Sequence, residues 1–262
     1  MQSIGTDIWH LQGRSLRMPG GVALPVASTV VRLPDRSLVL YSPIDFDDAT
    51  AAEVDALGEV AHVIAPSRLH HMFAGAAARR WPRAQVHAAP GVRDKQPALR
   101  VDHELVARAT GVGNDAGLRN GAAPDSDMPP PARSVAAWSG VLELQHIAGA
   151  PSIDEHVAFH RPSGTLICSD LLFHITRPAN LRTRIMLALM GVGGGRLAQS
   201  RVWRFARRDR DAARASVERV LSWPIAQIAP CHGEPCPVDV AALAPRLTRL
   251  ARIRSVPALA AP

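Results

Sequence analysis

Three short apolar runs in this sequence each end in side chains that can bind a metal ion. They read VIAPSRLHH (63–71), TLICSD (165–170) and IAQIAPCHG (225–233). Each run has the length and apolar content of a buried strand. Because the loops at the carboxyl ends of strands converge in open α/β sheets, ligand sites collect there. The pattern therefore predicts an α/β fold in which four side chains reach one cleft: His70, His71, Asp170 and His232.

The other segments alternate between strand and helix on both sides of a Gly/Pro-rich insertion at about 109–134. The first half indicates a hairpin followed by parallel strands with crossover helices. Its predicted strands are 28–33, 37–44, 61–66 and 84–90, and its predicted helices follow Asp47 or Asp48 and span 70–82. The second half has predicted strands at 141–147, 156–160, 165–170 and 225–230, and helices from about 181, from about 209 to 223 and from about 239. We therefore expect a single domain over residues 1–262, built from two similar halves.

The positive charge of the chain, +7, does not by itself indicate a nucleic-acid partner. Lys95 is the only lysine, and the densest basic run, RVWRFARRDRDAAR (201–214), has the interleaved aspartates of a solvated, salt-bridged helix face. No signal peptide and no apolar stretch long enough to span a membrane is recognisable, so a cytoplasmic location is the expectation. A disulfide framework is not expected, because the cysteines form no repeated CxxC pattern: Cys168, Cys231 and Cys236.

Three imidazoles and one carboxylate form a ligand set that suits Zn²⁺, with Fe²⁺ or Mn²⁺ as alternatives, at one ion per chain. His70 and His71 can both be ligands where a loop turns into a helix, because successive side chains there need not point apart. The alternative for this pair is that one histidine caps the helix and the other packs against the core. A separate cluster of Cys231, His232 and Cys236 is a further alternative.

Glu155 is a second candidate for catalysis, since it directly precedes the predicted strand HVAFH (156–160) on the expected rim of the cleft. There it could orient a ligand histidine, complete the coordination or act as a base. The alternative is an exposed loop carboxylate. The other histidines of this region are expected to be ordinary core or surface residues: His156, His160 and His174.

The order of these segments resembles that of the metallo-β-lactamase superfamily. HVAFHRPSGTLICSDLLF (156–173) is similar to the hairpin that leads to the superfamily's metal-bridging aspartate, here Asp170. IAPCHGEP (228–235) looks like its last metal-binding strand, with His232 as ligand, and VIAPSRLHHMFAG (63–75) lies where its HxHxDH signature is found. The resemblance covers most of the chain and is nearest to an uncharacterised branch, a domain of unknown function, with an HH pair. It implies a four-layer αββα sandwich with the metal site at one edge of the two sheets.

The sequence departs from the superfamily's two-metal pattern at three places. Ser67 and Leu69 stand where the signature has its first two histidines, Ser152 stands where a histidine precedes the hairpin, and SPI (42–44) replaces a strand-end aspartate. One metal position has thus lost its ligands, and the resemblance implies that the other keeps His70, His71, Asp170 and His232. Aligning the loop requires a one-residue deletion, which makes His71 a safer assignment than His70.

A single-metal site of this kind would activate water, which predicts hydrolysis of an ester, thioester, lactone or amide in a small-molecule substrate. Asp170 would be both ligand and water-orienting group. Iron-dependent redox chemistry is a further activity that the superfamily's fold is known to host.

Two other classes of function remain as alternatives. A superfamily member that has lost catalysis could act as a binding or scaffold protein, as the missing ligand set suggests. Nucleic-acid processing ranks last, since the chain has one tyrosine and few other aromatic residues. The helical run RIMLALM (184–190) could cover the cleft, form a homodimer contact or pack in the core.

Overall fold

The computed structural model describes residues 1–105, 118–120, 138 and 140–248 of the chain. Apart from one short strand, the insertion predicted at about 109–134 lies outside the described residues. The described residues of the first half form ten strands: β1 (Gln2–Gly5), β2 (Ile8–Gln12), β3 (Leu16–Met18), β4 (Val22–Leu24), β5 (Ala27–Arg32), β6 (Leu38–Tyr41), β7 (Val60–Ala65), β8 (Gln85–Ala88), β9 (His103–Leu105) and β10 (Leu118–Asn120).

Eight of these strands form the first sheet, in the order β1-β2-β5-β6-β7-β8-β9-β10, and β3 pairs with β4 in a separate hairpin. The strands from β6 to β9 are parallel, and the others pair antiparallel. The antiparallel β5–β6 hairpin and the parallel β7–β8 pair are as the sequence predicts. The N-terminal strands β1 to β4 were not predicted.

The second sheet has five strands in the order of the chain, with β13 and β14 parallel and the remaining pairs antiparallel. They are β11 (Leu142–Ile147), β12 (Glu155–His160), β13 (Thr165–Cys168), β14 (Gln227–Pro230) and β15 (Cys236–Pro237). The predicted hairpin of 156–160 and 165–170 is the β12–β13 pair.

Seven helices accompany the sheets in the described residues: α1 (Asp48–Asp55), α2 (Ala74–Arg80), α3 (Val92–Lys95), α4 (Leu181–Met190), α5 (Arg201–Ala206), α6 (Arg210–Leu221) and α7 (Val240–Thr248). Side-chain caps fix where some of them begin. Asp47 accepts a hydrogen bond from the backbone N–H of Thr50 at the start of α1, and Asp209 caps α6 in the same way. Among the described residues, no helix combines the length and the apolar content that a bilayer crossing requires.

Alternate side chains along the strands face two different apolar layers, because successive residues of a strand point to opposite sides. In β6, Leu38 packs in the cluster that includes residues of α1 and α2, whereas Val39 packs in a cluster shared by both sheets. In β13, Leu166 faces the cluster that includes residues of α6 and α7, and Ile167 faces the shared cluster. The order of layers is helix, sheet, sheet, helix. The predicted four-layer αββα sandwich is confirmed.

Hydrogen bonds join the two sheets at the edge where the predicted site lies. The hydroxyl group of Tyr41 in β6 donates to the backbone carbonyl of His156 in β12 over 2.7 Å. The backbone N–H of His156 donates to the carbonyl of Pro66, and that of Ala27 donates to the carbonyl of Cys231, each over 2.8 Å. The strand ends of the two sheets are therefore held in a fixed relation.

The helix that the sequence predicts from His70 begins only at Ala74, and His70 and His71 lie in the turn between β7 and α2. Ser67 is the cause. Its hydroxyl oxygen accepts hydrogen bonds from the backbone N–H groups of Leu69 (3.2 Å) and His70 (3.1 Å). Such a serine turn offers the backbone an alternative to the first helical turn.

Candidate metal centre

Three of the predicted side chains converge where strands of both sheets end. His70 follows β7 of the first sheet, and Asp170 and His232 follow the parallel strands β13 and β14 of the second. Nε2 of His70 lies 3.1 Å from Nε2 of His232 and 3.4 Å from Oδ2 of Asp170. Nε2 of His232 lies 3.7 Å from Oδ1 of Asp170. Within the described ranges of the chain, this is the one group of three or more His, Cys, Asp or Glu residues whose ligand atoms lie within 4.8 Å of one another.

These distances fit a single tetrahedral ion. With ligand bonds of about 2.1 Å, neighbouring ligand atoms of a tetrahedral zinc site lie about 3.4 Å apart. The two histidine nitrogens are 3.1 Å apart, and they lie 3.4 and 3.7 Å from different oxygens of the Asp170 carboxylate, so the three side chains come close to this spacing. Oδ2 of Asp170 is buried and accepts no hydrogen bond from the described residues, so an unused acceptor faces the place where a cation would lie. Two imidazoles and one carboxylate leave a fourth position open, as in catalytic zinc sites.

The second nitrogen of each histidine is held by a hydrogen bond. Nδ1 of His232 lies 2.8 Å from the carbonyl oxygen of Pro25, and Nδ1 of His70 lies 2.8 Å from Oγ of Ser42. Because a carbonyl oxygen can only accept, Nδ1 of His232 carries a proton, which leaves Nε2 as the nitrogen that would bind a metal ion. The hydroxyl of Ser42 can accept the same bond from His70. Both imidazoles are thus oriented as metal ligands commonly are.

The site concentrates opposite charges in a buried place. Burial opposes protonation of His70, but the carboxylate of Asp170 outweighs burial and raises the pKa of His70 well above its ordinary value. Burial also opposes ionisation of Asp170, yet His70 and His232 hold the pKa of its carboxyl group well below the ordinary range. The buried carboxylate therefore requires a positive partner, which a protonated histidine or a divalent cation supplies.

Glu155 is fully buried as the first residue of β12, whereas the sequence predicts a position on the rim of the cleft. Its Oε1 accepts a hydrogen bond from the backbone N–H of Ser169 (2.7 Å), and its Oε2 accepts one from Nε1 of Trp203 (3.3 Å). Burial and, after it, the charge of Asp170 raise the pKa of Glu155 to about 7. Because Ser169 directly precedes Asp170, Glu155 is placed to hold the loop that carries this ligand.

His71 lies outside the group of converging ligand atoms, although the sequence favours it over His70. Its ring is half-buried beside Lys95 and Gln96, and burial followed by the charge of Lys95 lowers the pKa of His71. The physical reason is the serine turn at Ser67, which directs the first histidine of the pair into the cleft and the second away from it. The structure therefore brings together three of the four predicted ligands.

Cys231 does not join His232 and Cys236 in a ligand group of its own among the described residues. It is buried, and its thiol is close enough to His70 to contribute, after Asp170, to the raised pKa of that imidazole. Cys231 thus faces the candidate centre.

The three histidines expected to be ordinary residues make other contacts. The ring of His156 stacks on that of His146, with centroids 4.7 Å apart. Nδ1 of His160 lies 2.7 Å from Oγ of Ser163, and Nδ1 of His174 lies 2.8 Å from the carbonyl oxygen of Glu234. None of the three belongs to the group of converging ligand atoms.

Three residues that support the two imidazoles were not predicted from the sequence: Ser42, Pro25 and Phe173. The ring of Phe173 stacks on His232 with centroids 4.7 Å apart and the planes within 13° of parallel. Ser42 has a left-handed backbone (φ 54°), which is rare for a residue with a side chain. A sequence signal for Ser42 did exist, since it directly follows β6, and polar residues directly after a strand are the pattern that identified the ligands.

The position after the candidate ligand His232 requires a glycine, Gly233. Its φ is 110°, and a Cβ atom placed on it would lie 1.9 Å from the carbonyl oxygen of His174. No other residue fits this close approach of two backbone segments. The glycine therefore allows the loop after β14 to pass directly beside the segment that follows Asp170.

Comparisons with known proteins agree with this architecture. The family model described as Domain of unknown function (DUF4336) matches residues 6–186, a range that includes His70 and Asp170 and ends before His232. No curated protein is significantly similar in sequence.

Solved structures of metallo-β-lactamases are similar over nearly the whole chain. The enzyme from Erythrobacter litoralis has a TM-score of 0.61 at 16% identity, covering 96% of this chain and 95% of that one. FIM-1 from Pseudomonas aeruginosa, solved in a mono-zinc form, has a TM-score of 0.55 at 15% identity, covering 97% and 96%. The enzyme from Hirschia baltica has a TM-score of 0.53 at 15% identity, covering 95% and 94%. At such low identity the likeness shows the fold, and the chemistry has to be argued from the site.

Proposed function

This chain belongs to the family described as a domain of unknown function, DUF4336, and has the metallo-β-lactamase fold; from this premise we propose that it is a metal-dependent hydrolase with one ion per chain. The proposed ion is zinc, with iron or manganese as alternatives. The proposed substrates are small molecules with an ester, thioester, lactone or amide bond.

The convergence of His70, Asp170 and His232 carries the proposal. Their separations, their burial and their hydrogen-bonded second nitrogens fit a mononuclear centre with an open position. The residues that replace the superfamily's other ligands support a single ion. The hydroxyl of Ser67 is engaged in its turn, and the side chains of Leu69 and Ser152 are exposed.

In this proposal the chain's own residues have distinct tasks. A divalent cation held by His70, Asp170 and His232 would activate water and polarise the bond to be cleaved. The carbonyl of Pro25 and the hydroxyl of Ser42 orient the two imidazoles. The buried carboxyl group of Glu155 is the proposed positioning group for Asp170.

Metal analysis of the purified protein tests the centre. We expect about one equivalent of a divalent transition metal per chain, and loss of that metal in His232→Ala and in Asp170→Ala, since each substitution removes one of three ligands. His71→Ala is the matched control, because it removes a neighbouring histidine whose ring points elsewhere and should leave the metal content unchanged.

Absence of bound metal after incubation with zinc, iron and manganese would contradict the proposal. Unchanged stability in His232→Ala and Asp170→Ala would then favour the alternative, a binding or scaffold protein that has lost catalysis. If His71→Ala also lost the metal, His71 would be a ligand, and the four-ligand set that the sequence predicts would be correct.

Hydrolysis is tested separately with one chromogenic substrate of each of the four classes. We expect turnover of at least one class by the metal-loaded protein, abolished by a chelator and by Asp170→Ala. A metal-loaded protein that cleaves none of the four classes would contradict the hydrolase assignment and leave only the metal centre standing.

A further inference from the structure

Helix α4 exposes an apolar stripe to solvent. Leu181, Ile185 and Leu189 are 58%, 52% and 68% exposed, and their spacing of four residues places them on one face of the helix. The opposite face is buried through Thr183 and Leu187. A surface helix ordinarily turns polar residues outward, so an outward apolar stripe indicates an interaction surface.

The short helix α5 continues this surface. Val202 and Phe205 are 51% and 84% exposed, whereas Trp203 between them is buried and fixes the orientation of the helix. Nη1 of Arg201 donates to the carbonyl oxygen of Leu189 over 3.0 Å and so ties the start of α5 to the last turn of α4. We call the exposed apolar residues of the two helices, with the arginines beside them, the α4–α5 surface.

The segment that forms this surface carries charge of one sign. The segment 175–208 contains eight arginines and no aspartate or glutamate. At about 100° per residue, Arg182 and Arg184 fall on the two sides of the stripe on α4. In the part of the chain that the structure describes, none of the eight arginines forms an ion pair with a carboxylate. The aspartates that made the basic run resemble a salt-bridged face begin only at Asp209.

We propose that the α4–α5 surface docks on an anionic lipid bilayer. An apolar helix face bordered by arginines is the arrangement that lies in a membrane interface, where apolar side chains enter the acyl boundary and the cations meet anionic headgroups. A second copy of the chain is the poorer occupant, because a symmetric contact would press like charges together. Bare phosphate recognition would leave the apolar stripe in water.

Docking would hold the candidate metal centre close to the bilayer. Leu187 on the inner face of α4 packs in one apolar cluster with Phe173, whose ring stacks on the ligand His232. The docking surface and the ligand are therefore separated by a single packed layer. The proposal itself rests on the α4–α5 surface and does not require a bound ion.

Co-sedimentation with vesicles tests the proposal. The full chain is expected to bind vesicles of phosphatidylcholine mixed with phosphatidylglycerol far more strongly than vesicles of phosphatidylcholine alone, and added salt should weaken the binding. Phe205→Ser should weaken it about tenfold through lost apolar burial, and Arg184→Gln roughly fivefold through a lost contact with anionic headgroups. Both side chains are exposed, so circular dichroism should show an unchanged fold.

Arg79→Gln on α2 is the matched control, because it removes one exposed positive charge from another helix and should leave binding near the wild-type level. His232→Ala should bind vesicles like the wild type, which separates this surface from the metal centre. Equal binding to both kinds of vesicle, or undiminished binding of Phe205→Ser and Arg184→Gln, would overturn the proposal. So would a wild-type dimer that Phe205→Ser converts to a monomer, since the surface would then be a self-contact.

Discussion

The carboxyl group of Glu155 connects two parts of the chain behind the candidate ligands. One oxygen accepts the backbone N–H of Ser169 next to Asp170, and the other accepts the indole N–H of Trp203 in α5. Outer partners of this kind fix the orientation of metal ligands, and their loss typically weakens metal affinity by about 10- to 100-fold. These contacts support the proposed positioning role of Glu155, toward the aspartate rather than toward a ligand histidine as the sequence suggests.

We predict that Glu155→Ala lowers both stability and metal affinity. The substitution leaves two buried donors without an acceptor, at about 1–3 kcal/mol each, and frees the loop before Asp170. Glu155→Gln keeps an amide oxygen for Ser169 and should lose clearly less of both. Denaturant unfolding and competition with a chelator measure the two quantities. Equal metal affinity in the wild type and both variants would exclude a positioning role.

The two sheets meet at the site through the ends of their strands. The first sheet contributes His70, and the second contributes Asp170 and His232, so the candidate centre depends on how the sheets dock. The hydrogen bond from Tyr41 to the carbonyl of His156 is one of the side-chain links across this junction. Tyr41 also directly precedes Ser42, whose hydroxyl contacts His70.

Tyr41→Phe is expected to lower the free energy of unfolding by about 1 kcal/mol and also to weaken metal binding, because it loosens the docking of the sheets beside the ligands. Ser28→Ala is the matched comparison. It removes a buried hydrogen bond of similar length, from Ser28 Oγ to the carbonyl of Tyr41, that stays within the first sheet. It should cost similar stability without changing metal affinity, and a parallel loss of affinity in both variants would contradict this assignment.

Buried neutral histidines make the whole protein sensitive to acid. Burial lowers the pKa of His156 to about 3 and the pKa values of His10 and His160 to about 4, from 6.5, and lowers the pKa of His87 as well. Below pH 6.5 these histidines bind protons in the unfolded chain but stay neutral in the folded chain. The free energy of unfolding therefore falls as the pH is lowered from 6.5 towards 4. The pKa of Glu155 is raised to about 7, so this group binds its proton in the folded chain first and favours folding as the pH falls. It is one group against several buried histidines, so the net effect of acid is loss of stability.

Urea unfolding across this pH range is expected to show a steep decline in stability, with each such histidine contributing up to about 1.4 kcal/mol per pH unit. His156→Gln should reduce the slope by about one proton, since its ring is buried and neutral in the folded state. An unchanged slope in this variant would mean that His156 takes up its proton without unfolding the protein.

Much of the fold could be predicted from local patterns, because the apolar periodicity of a strand or a helix is visible within one segment of the sequence. The β5–β6 hairpin, the parallel β7–β8 pair and the β12–β13 hairpin follow from apolar runs of ordinary length. Among the strands that were not predicted, β1 and β3 have no buried residue and β4 has one. They therefore lack the buried apolar run by which the other strands were recognised.

The candidate site was only partly predictable for a related reason. Strand ends pointed to His70, Asp170 and His232, whose meeting depends on topology. Whether His70 or His71 reaches the site depends on the turn that the hydroxyl of Ser67 stabilises. The spacing of residues in the sequence does not decide between two adjacent histidines. The second-layer contacts of Pro25 and Glu155 arise between segments more than ten residues apart, where the sequence carries no local signal.

The placement of the ligands on opposite sides of the junction between the sheets has a consequence for the life of the protein in a cell. An ion bound in the proposed centre would join the two sheets and would add about 2.7 kcal/mol to the free energy of unfolding when its free concentration is a hundred times its dissociation constant. We expect scarcity of that ion to shorten the lifetime of the chain, because a larger unfolded fraction reaches proteases. The supply of the metal to the cell would then determine how much of the protein accumulates as well as how active it is.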